Sequence, residues 1–435
     1  MALMLWRAEK QHHVTRRLVI FAMVLLALSA RGAAAAEIVI ACSALGLEHE
    51  ICREGAESWA ERTGNTVKLV STPGSASEQL ALYQQLLAAG ASDIDVFQID
   101  VVWPGILAQH FIDLTHAAGD RPAEHFAAIV ANNTVDGRLV AMPWFADAGL
   151  LYYRRDLLEK YDRPVPGTWE ELTATARLVQ ECERAAGNPD FWGYVWQGRA
   201  YEGLTANVLE WISSRGGGTF VDAAGEITIN NPAAVHALEL AASWVGAISP
   251  EGVLNYTEEE ARGVFQSGQA LFMRNWPYAW ALAESADSPV RGRTGLAVLP
   301  KGGADGTHSA TLGGQQLGVS RYSSNPELAA DLVMHLTGRE EQKRRAVVGS
   351  FNPTFPALYD DPEIAAAVAV IAELRAVLDK AVARPSTITG AAYNRVSATI
   401  FDAVHRVLSG RAEPQASLAR LERDLRRIGR RGWSR

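Results

Sequence analysis

Residues 37–107 read EIVIACSALGLEHEICREGAESWAERTGNTVKLVSTPGSASEQLALYQQLLAAGASDIDVFQIDVVWPGIL, and their periodicity decides the fold. The apolar run EIVIAC (37–42) predicts a buried strand, and 54–62 predicts a helix that Gly64 stops. TVKLVS (66–71) is the next strand. SASE (75–78) has the spacing of a capping box and opens a helix to Ala89, closed by Gly90. DVFQI (95–99) is a third strand, and a further helix starts at Pro104. Strand and helix in alternation predict an α/β fold, a parallel sheet covered by helices on both faces. The turn after the first strand, CSALGLE (42–48), lacks the glycine fingerprint of a dinucleotide site.

Outward from this stretch, residues 1–36 read as a signal peptide. Arg7, Lys10, Arg16 and Arg17 precede the apolar run LVIFAMVLLAL (18–28), and GAAAA (32–36) offers a small-residue cleavage site before Glu37. Eleven apolar residues fall short of the ~20 that span a bilayer. An acylated Cys42 fits poorly, because the strand IVIA (38–41) separates it from the apolar run. The expected product is exported to the periplasm. The whole chain has 435 residues, enough for two or three domains, and its 48% hydrophobic and 21% charged residues exclude a disordered chain or a fibre. Without residues 1–36 it carries 36 basic and 48 acidic groups, the wrong balance for a nucleic-acid binder. No other stretch is long and apolar enough to span a membrane, so a soluble protein is expected. Seven arginines between Arg420 and Arg435 read as a solvated helix end and tail. Of the three cysteines, Cys42 and Cys52 can bridge a strand end to a helix start, but plain core residues are the favoured reading.

Beyond Val140 the pattern changes character. AMPWFADAGLLYYRRDLL (141–158) is extended and aromatic until a helix near Arg155, and TWEE (168–171) is a second capping box. FWGYVWQ (191–197) alternates as a strand. Helices follow at 201–213, 232–247 and 257–267, then the strand ALFMR (270–274) and the extended GGQQLGVS (313–320). From Pro326 the chain is mainly helical, interrupted at NPTFP (352–356). There is no internal repeat, so two domains require the chain to cross between them more than once.

Enzyme signatures are missing: no G-x-S-x-G elbow, no H-E-x-x-H helix and no P-loop. The histidines lack metal-ligand spacing, so no metal or other cofactor is expected. Aromatic and polar residues instead gather at predicted strand ends, where α/β sheets bind ligands. Ser43–Glu48 and DVVW (100–103) share one edge, and further along the chain sit WFAD (144–147), WPY (276–278) and GGQ (313–315). Indole faces carry apolar CH surfaces, while carboxylates and arginine bond hydroxyls, a mixture suited to carbohydrate. Trp59, Trp169 and Trp244 lie in helical periods and are assigned to the core, whereas Trp276 is flanked by Arg274, Asn275 and Pro277.

At this point the chain resembles the carbohydrate-binding extracellular solute-binding proteins of ABC importers, the family that includes the maltose-binding proteins, and most of all its trehalose- and maltose-binding branch. The matching stretches are DIDVFQIDVVWPGIL (93–107), AMPWFADAGLLYYRRDLLEKYD (141–162), TWEELTATA (168–176), VWQGRAYEGLTANVLEWISSRGG (195–217), GQALFMRNWPYAW (268–280), LGGQQLGVS (312–320) and ARPSTITGAAYNRVS (383–397). The resemblance implies two doubly wound α/β lobes around a ligand cleft, the periplasmic binding protein fold of type II. It divides the chain into a first lobe of 37–145 plus 311–350 and a second of 146–310 plus 351–435, with crossings near 142–148, 300–312 and 349–353. It implies that Asp100 bonds sugar hydroxyls, that Glu48 contacts sugar from a loop of the same lobe, and that Phe145 and Asp147 lie beside the first crossing. Trp276 corresponds to a stacking tryptophan, Gly313 and Gly314 to a backbone contact, and Arg384 to a late arginine reaching the ligand. Gln315 stands where relatives commonly carry tryptophan, which removes one stacking surface. The implied function is capture of a small saccharide, such as trehalose or maltose, by a monomer that delivers it to inner-membrane permeases and, through them, an ATPase. The rival reading is a secreted glycoside hydrolase that uses two cleft carboxylates.

Overall fold

The computed structural model describes residues 35–368 and 371–433, so the signal-peptide reading falls almost wholly outside the described residues. Among the described residues no helix is long and apolar enough to cross a membrane. The described residues form two large sheets and a small two-stranded one, in which Thr134–Val135 pairs antiparallel with Arg138–Leu139. Strands β1 (Glu37–Ser43), β2 (Thr66–Thr72), β3 (Val96–Asp100) and β4 (Met142–Ala148) belong to the first. Strands β5 (Leu150–Arg154), β6 (Trp192–Val195), β7 (Ala270–Asn275) and β8 (Thr294–Val298) make the second, and β9 (Leu312–Val319) returns to the first. The strand orders are β2-β1-β3-β9-β4 and β8-β5-β7-β6.

The alternating segment folds as its periodicity requires, with α1 (Glu48–Thr63) and α2 (Ala76–Ala88) between three parallel strands. The first sheet is not wholly parallel, however, because β9 runs antiparallel to both β3 and β4. The reason is the path of the chain. β4 leaves the first sheet at the edge facing the second, and β9 enters at that edge on its return, so the two must run in opposite directions.

The second sheet carries α3 (Trp169–Ala185), α4 (Glu202–Ser214), α5 (Pro232–Trp244) and α6 (Glu258–Gln266). The capping box at Thr168 forms, its hydroxyl accepting from the Glu171 amide at 3.2 Å. The one expected at Ser75 does not: Ser75 Oγ has no partner, and Glu78 reaches Arg199 instead at 2.6 Å. The C-terminal third is helical, with α7 (Pro326–Leu336), α8 (Arg339–Gly349), α9 (Tyr393–Leu408) and α10 (Pro414–Ile428). Between α8 and α9, Phe355, Leu358 and Ile364 share a core with Met142 and Phe145 of β4.

Trp59, Trp169 and Trp244 are core residues, each 1% exposed or less. Two local expectations are corrected. Helix α1 begins six residues earlier than its apolar periodicity suggests, which takes Glu48 out of a loop and into a first helical turn. Cys42, on β1, and Cys52, on α1, are disulfide-bonded rather than free core residues, so the intervening turn is closed covalently.

Candidate functional site

Strand direction brings the site residues to one place. β3 ends at Asp100, β4 nears its end at Asp147, and antiparallel β9 carries Gly313–Gln315 directly after its first residue, Leu312. The register pairs Gln315 with Asp100 and Gly313 with Asp147, so three strands present their cleft ends side by side. Opposite them stand the first residues of α4 and α6 and the turn after β7. The space between is a narrow cleft of about 50 Å³, lined by Glu48, Asp100, Asp147, Trp276, Gly313, Gly314, Gln315 and Arg384 of the expected residues.

A buried arginine ties the two sides together. Arg384 donates to Asp100 at 3.2 Å and to Glu202, the first residue of α4, at 2.7 Å. It also donates to the Leu312 carbonyl at 3.3 Å. Burial opposes its charge, but Asp100, Tyr393 and Glu202 outweigh that and hold its pKa above the ordinary value. Asp100 Oδ1 is further fixed by the Val102 amide at 3.0 Å, a local turn that aims the carboxylate across the cleft. Glu202 also accepts from Ser397 at 2.6 Å, and burial raises its pKa despite Arg384. Two further contacts cross the cleft mouth. The Glu202 amide donates to Ser77 at 3.1 Å, and Arg199 pairs with Glu78.

Glu48 and Asp147 differ from Asp100 in having no cation bonded to them. Glu48 accepts from Gln98 at 2.6 Å, and burial pushes its pKa up to about 7. Asp147 Oδ1 has no partner; burial, then Glu48 and Asp100, push its pKa up to about 8. A buried cation whose field reaches both is Arg345 on α8, whose guanidinium lies 3.8 Å from the Trp144 ring and 4.7 Å from the Phe351 ring. Burial lowers its pKa to about 9, so it stays charged at neutral pH. Among the described residues its three side-chain nitrogens have no hydrogen-bond partner.

Trp276 is held as a platform. Its indole nitrogen donates to Glu258 at 3.2 Å, and the Arg274 guanidinium lies 3.9 Å from the ring centroid. Arg274 is in turn clamped by both Glu210 oxygens, at 2.9 and 2.5 Å, with neither side chain exposed. The bare backbone of Gly313 admits the ring edge: a Cβ there would sit 2.9 Å from it. Gly314 has φ +117°, where a side chain would also collide with the Phe145 carbonyl, so both glycines are required by geometry.

One expected site residue is not there. Phe145 shares the face of Asp147 by strand alternation but lies two residues, about 7 Å, further from the cleft. Phe351 at 4.8 Å and Arg345 at 5.0 Å cover it. Trp103, also expected at this edge, is 1% exposed and packs on Tyr83. The sequence reading missed Glu202, Glu258 and Gln79, which line the cleft. The only local signal for the two glutamates was a carboxylate opening each helix, which usually means a solvated first turn. Three or more side chains placed to hold a metal are not found together among the described residues.

The model of the bacterial extracellular solute-binding proteins matches residues 50–343. A probable ABC transporter-binding protein from Deinococcus radiodurans is 51% identical over 407 residues, covering 93% of this chain and 96% of its own. The solved structure of maltose-bound MalE3 from T. maritima superposes with a TM-score of 0.85 at 38% identity, covering 91% of this chain and all of that one. The GacH receptor of Streptomyces glaucescens shares the fold, with a TM-score of 0.79 at 23% identity over 92% of this chain and 99% of its own. Together with the two-lobed fold and its enclosed cleft, these matches set aside the hydrolase reading. The chain belongs to the bacterial extracellular solute-binding protein family, as a binder of solutes and not an enzyme.

Proposed function

We propose that this protein is the periplasmic binding component of an ABC sugar importer, and that its ligand is a small neutral saccharide of the maltose or trehalose kind. The observation that carries the reading is the cleft itself. It sets one indole platform, Trp276, among buried carboxylates and an arginine contributed by both lobes. Hydroxyls can donate to Asp100 and to the unpartnered oxygens of Asp147 and Gln315. The guanidinium of Arg384 bonds carboxylates on both sides, so ligand contacts and lobe contacts form together. Such coupling is what makes a ligand favour the closed form. Maltose in the T. maritima relative, at 38% identity, supports the sugar class. Gln315 supports a short ligand, since it offers a hydrogen bond rather than a second stacking face.

The division into lobes of 37–145 plus 311–350 and 146–310 plus 351–435 is part of this proposal, supported by the separation of the two large sheets. Within it, the stretch that carries Phe355 and Leu358 runs as a strap beside the crossing. Export by residues 1–36, action as a monomer, independence of metal, and transfer to a permease pair with its ATPase complete the reading. A thermal-shift screen of the mature chain against maltose, trehalose, monosaccharides and linear polyols tests it. Saturation by the right sugar at ~100 times its Kd adds ~2.7 kcal/mol and raises the midpoint. A shift with linear polyols alone, or with none of these compounds, refutes the disaccharide reading.

A further inference from the structure

We propose that the exposed arginine face of α10 docks the protein on the anionic headgroup surface of a membrane. The charge of the chain is sharply divided. Residues 395–435 contain ten arginines against four carboxylates, whereas residues 37–394 contain 26 basic and 44 acidic groups. Helix α10 sorts its share by face. Leu418, Leu421 and Leu425 are buried toward α9 and α5. Arg420, Arg423, Arg427 and Arg430 recur at intervals of three, four and three, the spacing of one helical stripe, and all four are exposed. The stripe runs about 15 Å along the helix and the turn that continues it. Trp433 anchors the far end, its indole donating to the Gly225 carbonyl at 2.9 Å, so the stripe is fixed to the body of the lobe.

The local acids do not neutralise it. Asp424 pairs with Arg427 at 2.6 Å and more distantly with Arg420, and Glu422 pairs with Arg426. Among the described residues, Arg423 and Arg430 have no carboxylate partner. The nature of the face selects the partner. A protein interface needs a desolvated core with aromatic or aliphatic anchors, and none is interspersed here. Among the described residues the exposed large apolar side chains, Val165 and Val348, lie elsewhere. A laterally uniform anionic surface needs no such anchor. It rewards guanidinium groups spread along a line, each able to fork onto phosphate oxygens.

The test is co-sedimentation of the mature chain with vesicles of phosphatidylcholine alone or with about 30 mol % phosphatidylglycerol. The wild type is expected to partition roughly tenfold more strongly onto the anionic vesicles, and to lose that preference between about 50 and 500 mM salt. The variant Arg420→Gln/Arg423→Gln/Arg427→Gln/Arg430→Gln should lose the preference while keeping its thermal midpoint. A control with the same charge change elsewhere, Arg163→Gln/Arg177→Gln/Arg291→Gln/Arg293→Gln, should keep it. Equal binding to both vesicle types overturns the proposal, as does equal loss in both variants or no loss in the first. Retention on an acidic protein but on neither vesicle type also overturns it.

Discussion

Replacing Asp100 by asparagine separates a ligand carboxylate from a structural one. Oδ1 already accepts from the Val102 amide at 3.0 Å and from Arg384 at 3.2 Å. Asparagine keeps an oxygen there, so the turn and the bond from Arg384 survive. What it removes is the charge, and it turns Oδ2 from an acceptor into a donor facing the cleft. A hydrogen bond to a charged acceptor contributes about 1.5–3 kcal/mol, so the loss of one raises Kd by roughly 10- to 150-fold. Stability should change little, because Arg384 retains Glu202 at 2.7 Å. About 1 kcal/mol of weakened pairing lowers the midpoint of a chain this long by no more than about 3 °C. Calorimetric titration with maltose and trehalose, alongside scanning fluorimetry, reads both quantities. Unchanged affinity with a midpoint several degrees lower would show that Asp100 serves the fold, and the reasoning about this site would be wrong.

The other predictions concern the same cleft. Trp276→Ala should weaken sugar binding by a similar factor through lost apolar contact, about 2 kcal/mol, and Gly313→Ala should do so by pushing the ring aside. Glu48 and Asp147 titrate near 7 and near 8 because burial disfavours their charge. The folded state therefore holds these protons more tightly than the unfolded state. Their contribution is most favourable below about pH 4 and is lost as pH rises through about 7 and 8. Midpoints of the ligand-free protein should accordingly fall between pH 6 and pH 9, and Glu48→Gln/Asp147→Asn should flatten that slope. A slope unchanged in the double variant would assign it to other groups. Replacing Cys42 and Cys52 by alanine should cost about 2–4 kcal/mol and loosen the turn that carries Glu48, visible as a lower midpoint and weaker binding.

Much of the fold was legible because its signals are local. Alternating strands and helices, the Thr168 capping box and Gly64 in the left-handed region each act within a few residues. The direction of β9 was not, since it depends on where the chain returns after about 160 residues. The site divides in the same way. Asp100, Asp147 and the glycines at 313 and 314 follow from strand ends, Trp276 from its polar flanks, and Arg384 from resemblance alone. Phe145 was placed one pleat too near the ligand, because alternation gives the face of a strand but not the depth of the cleft. Glu202 and Glu258 acquire meaning only through distant partners: Arg384 is 182 positions from Glu202. The Arg274–Glu210 clamp that steadies Trp276 spans 64 positions and carries no local sequence signal.

Calorimetric titration of the metal-stripped mature protein with maltose and trehalose, followed by recovery and analysis of the sugar, tests the central claim most directly. Capture by lobe closure predicts saturable one-to-one binding to at least one of the two, with the disaccharide recovered intact. Absence of binding to both, a requirement for added metal, or release of monosaccharide would contradict it.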